Sequence, residues 1–301
     1  MADARQGAAA NVAIDAALVR RLLAEQFPQW AALPITPAVP QGWDNRTFRL
    51  GATMSVRLPS AAGYAQQVAK EHRWLPFLAP HLPLPIPAPL AMGVPTTAYP
   101  WPWSVYRWID GVTAEPARIG DLVEFATDLG RFLAALQQID PTGGPPAGAH
   151  SWYRGASLAA YNHETQEALA VLDGDLDTDA ARVVWDAALQ TTWTGAPVWV
   201  HGDVAVANLL VRGGRLHAVI DFGCCCIGDP ACDTVIAWTL FAGESRAAFR
   251  QALPLDDATW TRGRGWALWK ALITLAADRR ADPLKAESAR RVIQAVLADS
   301  R

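Results

Sequence analysis

The chain has 301 residues, of which 51% are hydrophobic and 18% charged, with a formal net charge of −3 at neutral pH. That composition builds a core and excludes wholesale disorder, and the absence of any dense Lys/Arg run argues against a nucleic-acid or anionic-membrane surface. The length exceeds the usual single core, so an arrangement in two lobes fits best.

The opening residues MADARQGAAANVAID lack a basic stretch followed by a long apolar run, and no later segment offers ~18 consecutive apolar residues, which predicts a soluble, cytoplasmic protein. Residues 12–30 carry Ile14, Leu18, Leu22 and Leu23 at helical spacing, an amphipathic helix ending near Pro28. Residues 46–50 and 54–58 read as two short strands around Gly51 and Ala52, and 64–78 as a helix. From Pro76 to Pro102 there are nine prolines, which forces strand edges and connectors rather than a helix. SVYRWID at 104–110 is a strand-like aromatic run, and 121–139 is an amphipathic helix with Leu122, Phe125, Leu129, Phe132, Leu133 and Leu136 on one face.

Helical patterns follow the loop PTGGPPAG at 158–172 and 179–191, and again at 233–241, 245–252, 257–277 and 284–297. Between them lies VWVHGDVAVANLLVRGGRLHAVIDFG, residues 198–223, read as three short strands at 198–200, 209–211 and 216–220. The fold class this implies is α+β, with a small N-terminal lobe on an antiparallel sheet and a larger, mostly helical C-terminal lobe. The lobes divide as 1–103, a hinge at 104–111, and 112–301.

Within that central segment Asp203 is followed five residues later by Asn208, and a strand ends in Asp221-Phe222-Gly223. This is the layout of a kinase catalytic loop and its metal-binding Asp. Phosphoryl transfer asks a protein for positioning, for a metal to neutralise the phosphates, and for a carboxylate beside the attacking hydroxyl. Asp203 suits the last role, accepting or orienting the acceptor hydroxyl's proton. Asn208 and Asp221 offer the oxygen ligands that Mg²⁺, a hard cation, prefers. Asp203 lies in the loop before one strand and Asp221 at the end of its hairpin partner, so the carboxylates are expected to converge.

HGDVAVAN, VIDFG and the following GDPACD at 228–233 resemble the aminoglycoside phosphotransferase family, within the protein-kinase-like superfamily that also holds choline kinases, fructosamine kinases and macrolide phosphotransferases. The resemblance implies a bilobal protein-kinase-like fold, ATP or GTP as phosphoryl donor, Mg²⁺, and a small hydroxylated acceptor. It also implies that Asp229 and Asp233 brace the catalytic loop. The family's N-lobe Lys, which touches the phosphates and is oriented by a helix Glu, is matched here by Arg57 in MSVRLP, with Glu71 in KEHRW as its partner and Lys70 as a rival cation. A guanidinium binds bidentately where an ammonium acts as a point charge, so the geometry departs from the family's. SVYRWIDG falls at the hinge, where main-chain groups of Tyr106 and Trp108 are expected to meet the purine edge. QGWDNRTF at 41–48 stands where a nucleotide-covering loop belongs but has a single Gly.

Gly202 precedes Asp203 where protein kinases carry an Arg, and only seven residues separate Asp221 from Asp229, too few for an activation loop. A small-molecule acceptor is therefore expected. For a polycationic acceptor the helical lobe offers Asp229, Asp233, Glu244, Asp256, Asp257, Glu164 and Glu167, and the chain's 14 Trp residues offer aromatic faces. Cys224, Cys225, Cys226 and Cys232 lack the spacing of a zinc site and point to a reducing compartment. Two other readings compete: a degenerate kinase that binds nucleotide as a regulatory module, and a Trp-rich docking protein.

Overall fold

The computed structural model describes residues 12–39, 41–42 and 44–299. The opening residues of the chain and Trp43 of the QGWDNRTF segment lie outside them. The chain divides into two compact units.

The first unit holds the residues up to Pro80, Leu84–Gly111 and Ala218–Gly223. Helix α1 (Ala16–Gln26) is capped by the Asp15 carboxylate, which accepts the Leu18 N–H, and buries Leu18, Val19, Leu22 and Leu23. After it come β1 (Ile35–Pro37), β2 (Asn45–Leu50), β3 (Met54–Pro59), α2 (Ala62–Leu78), β4 (Pro89–Gly93) and β5 (Trp103–Arg107). The sheet order is β1-β2-β3-β5-β4, antiparallel throughout. Gly51, at φ +60°, supplies the left-handed residue that the short β2–β3 loop requires. Phe48, Leu50, Val56, Leu58, Trp103 and Val105 form the core beneath α1. The Pro-rich stretch read as edges and connectors thus contains one short strand, β4, with a register shift between Pro89 and Ala91.

The second unit holds His81–Pro83, Val112–His217 and Cys224–Arg301. It contains β6 (Val112–Thr113), α3 (Leu122–Gln137), α4 (Asn162–Val171), α5 (Thr178–Leu189), β7 (Val198–Val200), β8 (Leu209–Arg212), β9 (Arg215–Val219, whose last two residues belong to the first unit), β10 (Cys226–Gly228), α6 (Ile236–Thr239), α7 (Gly243–Ala252), α8 (Asp257–Asp278) and α9 (Pro283–Ala298). The helix expected at 233–241 is a 3₁₀ turn at Pro230–Thr234 followed by the four-residue α6. Asp229 and Pro230 start that turn, with the Asp229 carboxylate accepting the Ala231 N–H. β7 pairs antiparallel with β10, Val200 opposite Cys226, and the loop from β7 to β8 carries the sequence-predicted catalytic residues. Gly213 and Gly214, both at positive φ, close the β8–β9 hairpin.

Helix α8 is the spine of this unit, burying Trp260, Trp266, Leu268, Leu272 and Leu275 along its length. At Gly263 it approaches the 230–234 turn so closely that an added Cβ would lie 1.8 Å from Thr234 Oγ1 and 3.1 Å from the Ala231 carbonyl. No helix among the described residues is long and apolar enough to cross a membrane.

Gly263 gives a test of which effect dominates. Gly→Ala in an exposed helix gains about 1 kcal/mol, whereas overpacking a tight contact costs about 1–3 kcal/mol. With the obstructing atoms on a turn and its backbone, the Gly263→Ala protein is expected to be less stable, read as a lower midpoint in chemical denaturation.

Candidate active site

In the first unit, β3 places Arg57 opposite Ser104 of β5, and α2 presents Gln67, Lys70 and Glu71 on one face by their three- and four-residue spacing. The Arg57 guanidinium is split between two carboxylates: Nη1 lies 3.6 Å from Glu71 Oε2, and Nη2 donates to Asp221 Oδ1 at 3.2 Å. Burial works against the charge of Arg57, but Glu71 and Asp221 outweigh it and hold the guanidinium protonated well above its ordinary range. Burial also raises the Glu71 carboxyl, against the pull of Arg57. The Tyr106 hydroxyl donates to Glu71 Oε2, and burial together with the Glu71 charge pushes the phenol well above its usual value. Glu71 Oε1 is buried and has no hydrogen-bond partner among the described residues.

Asp221 has φ +66°, a left-handed backbone uncommon for any residue but Gly and best tolerated by Asn and Asp. Phe222 after it is buried, and the Gly223 carbonyl accepts Lys70 Nζ at 2.6 Å. Lys70, the rival cation, is thus directed at the backbone following Asp221, while Arg57 holds the carboxylate itself.

The second unit builds the loop from β7. The buried Asp233 carboxylate accepts two consecutive amides, His201 N–H at 2.8 Å on Oδ2 and Gly202 N–H at 2.7 Å on Oδ1. Burial raises its pKa, opposed by His201 and by these two amides. Two successive N–H groups can turn to one anion because Gly202 sits at φ +83°, and a Cβ there would lie 2.7 Å from the Cys224 carbonyl. His201 Nδ1 then receives the Asp203 N–H at 3.2 Å. Asn208, at the end of a 3₁₀ turn, donates Nδ2 to the Asp203 carbonyl at 2.9 Å and to Asp203 Oδ2 at 3.0 Å.

Both partners of Asn208 Nδ2 are acceptors, which fixes the orientation of the amide and turns its carbonyl oxygen to the other side. Asp203 is exposed, and its Oδ1 has no protein partner among the described residues. The second unit thus offers an amide oxygen on Asn208 and a carboxylate oxygen on the exposed Asp203, and the first unit by itself offers the Asp221 carboxylate. Oxygen donors of this kind fit Mg²⁺ and suit neither zinc nor copper.

Asp229, expected as a brace, takes Arg262 Nε at 2.6 Å and Nη2 at 3.2 Å, tying the turn that carries Asp233 to α8. Arg262 carried no sequence motif to mark it. At Trp108, one of the two residues whose main-chain groups were expected at the purine edge, the N–H is donated to Thr53 O at 2.8 Å. Tyr106 stands opposite both Ser55 and Pro89 and works through its phenol on Glu71, a role that the aromatic pattern of β5 did not announce. The carboxylates considered for a polycationic acceptor are largely engaged elsewhere. Asp229 and Asp233 are internal braces, Asp256 caps α8, Asp257 pairs with Arg250, Glu164 accepts the Trp269 indole N–H, Glu167 pairs with His163, and Glu244 lies in the first turn of α7. The four cysteines form no disulfide among the described residues, and three of them are buried.

The profile of the phosphotransferase enzyme family matches residues 36–266. Among solved structures, the GDP complex of wild-type aminoglycoside 2'-phosphotransferase-IIIa aligns with a TM-score of 0.70 at 17% identity, covering 96% of this chain and 100% of that one. The ternary complex of APH(2'')-IIa with streptomycin and ATP aligns with a TM-score of 0.63 at 17% identity, covering 95% and 99%. The macrolide 2'-phosphotransferase from Brachybacterium faecium aligns with a TM-score of 0.59 at 22% identity, covering 94% and 98%. At these identities the likeness shows the bilobal kinase-like fold. No curated protein matches the chain in sequence.

Two expectations follow from the geometry. Asp233→Asn replaces one acceptor by an NH₂ group facing a backbone N–H, which costs about 1–3 kcal/mol for an unsatisfied buried donor. A lower denaturation midpoint, with faster amide exchange at Gly202, is the expected readout. His72 pairs Nε2 with Ser104 Oγ at 2.9 Å, and burial lowers its pKa below the ordinary 6.5. The unfolded chain therefore binds the proton more readily, so the contribution is complete above pH 6.5 and is lost as pH falls through the lower folded-state value. Stability measured across that window should fall with acidity, and less steeply in His72→Gln.

Proposed function

The chain belongs to the phosphotransferase enzyme family, and from that premise we propose that it transfers the γ-phosphoryl group of ATP or GTP to a hydroxyl of a small molecule. The observation that carries this reading is the loop at 201–208, where Asp203 keeps one carboxylate oxygen exposed while the other is held by Asn208. Asp203 receives or orients the proton of the acceptor hydroxyl on that exposed oxygen. Its backbone is fixed through His201 and Asp233, so little reorganisation remains for the reaction itself. Asn208 and Asp221 would hold Mg²⁺ through oxygen atoms, and the ion would supply neutralisation of charge on the phosphates.

Arg57 takes the place of the phosphate-binding cation, oriented by Glu71, which is itself held by Tyr106. Its Nη2, which here donates to Asp221 Oδ1 at 3.2 Å, would be the donor available to a phosphate oxygen, one charge-assisted hydrogen bond in place of another. The purine edge is met by main-chain groups at Tyr106 and Trp108; at Trp108, whose N–H is given to Thr53, the carbonyl is the group that serves. GDP and ATP in the neighbouring complexes support a nucleoside triphosphate donor, and the streptomycin bound together with ATP in one of them supports a small hydroxylated acceptor. The short run from Asp221 to Asp229 supports the same choice against a protein acceptor.

Turnover with ATP or GTP, Mg²⁺ and a panel of hydroxylated acceptors tests the reading. Asp203→Asn should lower kcat by roughly 10²–10⁴-fold, the usual contribution of a general base, and retain nucleotide binding. Asp221→Asn should lose the Mg²⁺ dependence of nucleotide binding. Nucleotide binding with no phosphorylated product from any acceptor would favour the degenerate, regulatory alternative instead.

A further inference from the structure

We propose that the acceptor carries an oxyanion group, a carboxylate or a phosphate, and that Arg154 receives it beside the catalytic loop. The inference deepens the phosphotransferase reading and rests on it. It begins with how firmly Arg154 is anchored. The Arg154 carbonyl accepts Ser151 Oγ at 3.1 Å and Cys226 Sγ at 3.0 Å, and the next carbonyl, of Gly155, accepts the Asp229 N–H at 2.8 Å. Cys226 is the partner of Val200 in the ribbon that feeds the catalytic loop. Arg154 Cβ lies only 3.1 Å from where a Cβ on Gly202, the residue before Asp203, would stand.

The side chain is as constrained as the backbone. Its guanidinium carbon lies 4.7 Å from the Trp269 ring centroid, 5.3 Å from that of Trp266 and 5.7 Å from that of Tyr161. Nη1 donates weakly to Tyr161 Oη at 3.4 Å. Half-buried, it has no carboxylate within ion-pair reach among the described residues; Glu164, in the same cluster, accepts the Trp269 indole N–H. A guanidinium bedded on aromatic faces keeps its charge and its fixed fork of donors, the geometry that matches a carboxylate or phosphate.

The turn leading to it is strained. Trp152 and Tyr153 are consecutive non-glycine residues at φ +51° and +54°, held in part by the Tyr161 hydroxyl donating to the Trp152 carbonyl. Strain of this kind, about 1–3 kcal/mol per residue, persists where surrounding structure imposes it and is concentrated at binding sites. Of the carboxylates a polycation would need, Asp229 and Asp233 are buried braces and Asp256 caps α8, whereas Glu164, beside Arg154, already accepts the Trp269 indole N–H. The cation without a carboxylate partner, placed next to the catalytic loop, selects an anionic acceptor over a polycationic one.

The test uses the full chain with Mg²⁺ and ATP for turnover, and with Mg²⁺ and ADP for calorimetric acceptor binding. The probes are D-gluconate for a carboxylate, glucose 6-phosphate for a phosphate, D-glucitol for a neutral polyol and kanamycin for a polycation. An anionic probe should have the highest kcat/KM and the tightest binding, and which of the two anions leads identifies the oxyanion. Arg154→Gln should reduce the anionic-over-neutral ratio of kcat/KM by roughly 10–100-fold, the worth of a charge-assisted hydrogen bond, and Arg154→Lys should restore part of it. A preference for glucitol or kanamycin, an equal loss on all probes in Arg154→Gln, or nucleotide binding without binding of either anion would overturn the inference and leave the kinase reading standing. Failure to bind nucleotide at all would overturn the kinase reading itself.

Discussion

A carboxylate sealed from water must find its donors inside the protein, and at Asp233 it finds them in the backbone of the catalytic loop. Each oxygen takes one amide, from His201 and Gly202, so the first turn of the loop cannot rotate without leaving a buried charge unsolvated. The left-handed glycine makes the two amides point the same way. His201 then fixes the next amide, and Asn208 closes the loop from its far end. Arg262 on Asp229 extends the constraint to α8, so the exposed carboxylate of Asp203 stands on a frame reaching the most deeply buried helix of its unit.

The first unit solves a different problem with one guanidinium. Arg57 faces two carboxylates, Glu71 and Asp221, in a setting where desolvation opposes every charge. A buried ion pair of this sort is weak evidence for stability, because the desolvation penalty can exceed the Coulombic gain. Its value lies in register: the fork sets the distance between a strand, a helix and Asp221, two residues beyond β9. An ammonium could donate to both carboxylates but lacks the rigid planar fork that fixes their spacing.

How much of this was legible in the sequence depended on range. Asp203, Asn208 and Asp221 were legible because their spacing is local, and a strand, loop and hairpin deliver them without help from distant residues. Arg57 and Glu71 were legible as a pair from their elements and from the family pattern. The Asp221 contact to Arg57 was not, since 164 residues separate them and only tertiary packing closes that gap. Nor was the engagement of the Trp108 amide by Thr53, because a strand pattern does not say which of its N–H groups a neighbouring turn will claim. The aromatic bed under Arg154 draws Tyr161 from a short turn before α4 and Trp266 and Trp269 from α8, and helical periodicity marks those residues as core without saying that a cation lies on them.

The left-handed backbone at Asp221 also narrows the paths by which this protein can change. Only Gly, Asn and Asp adopt φ near +66° with ease, so most single-step replacements there strain the chain as well as removing the carboxylate. Asn and Gly are the exceptions, and each is one base change from Asp in the genetic code. A lineage that lost catalysis but kept the fold would therefore be expected to carry one of those two residues at this position. The conformation of a single peptide unit thus sets which inactive descendants can persist.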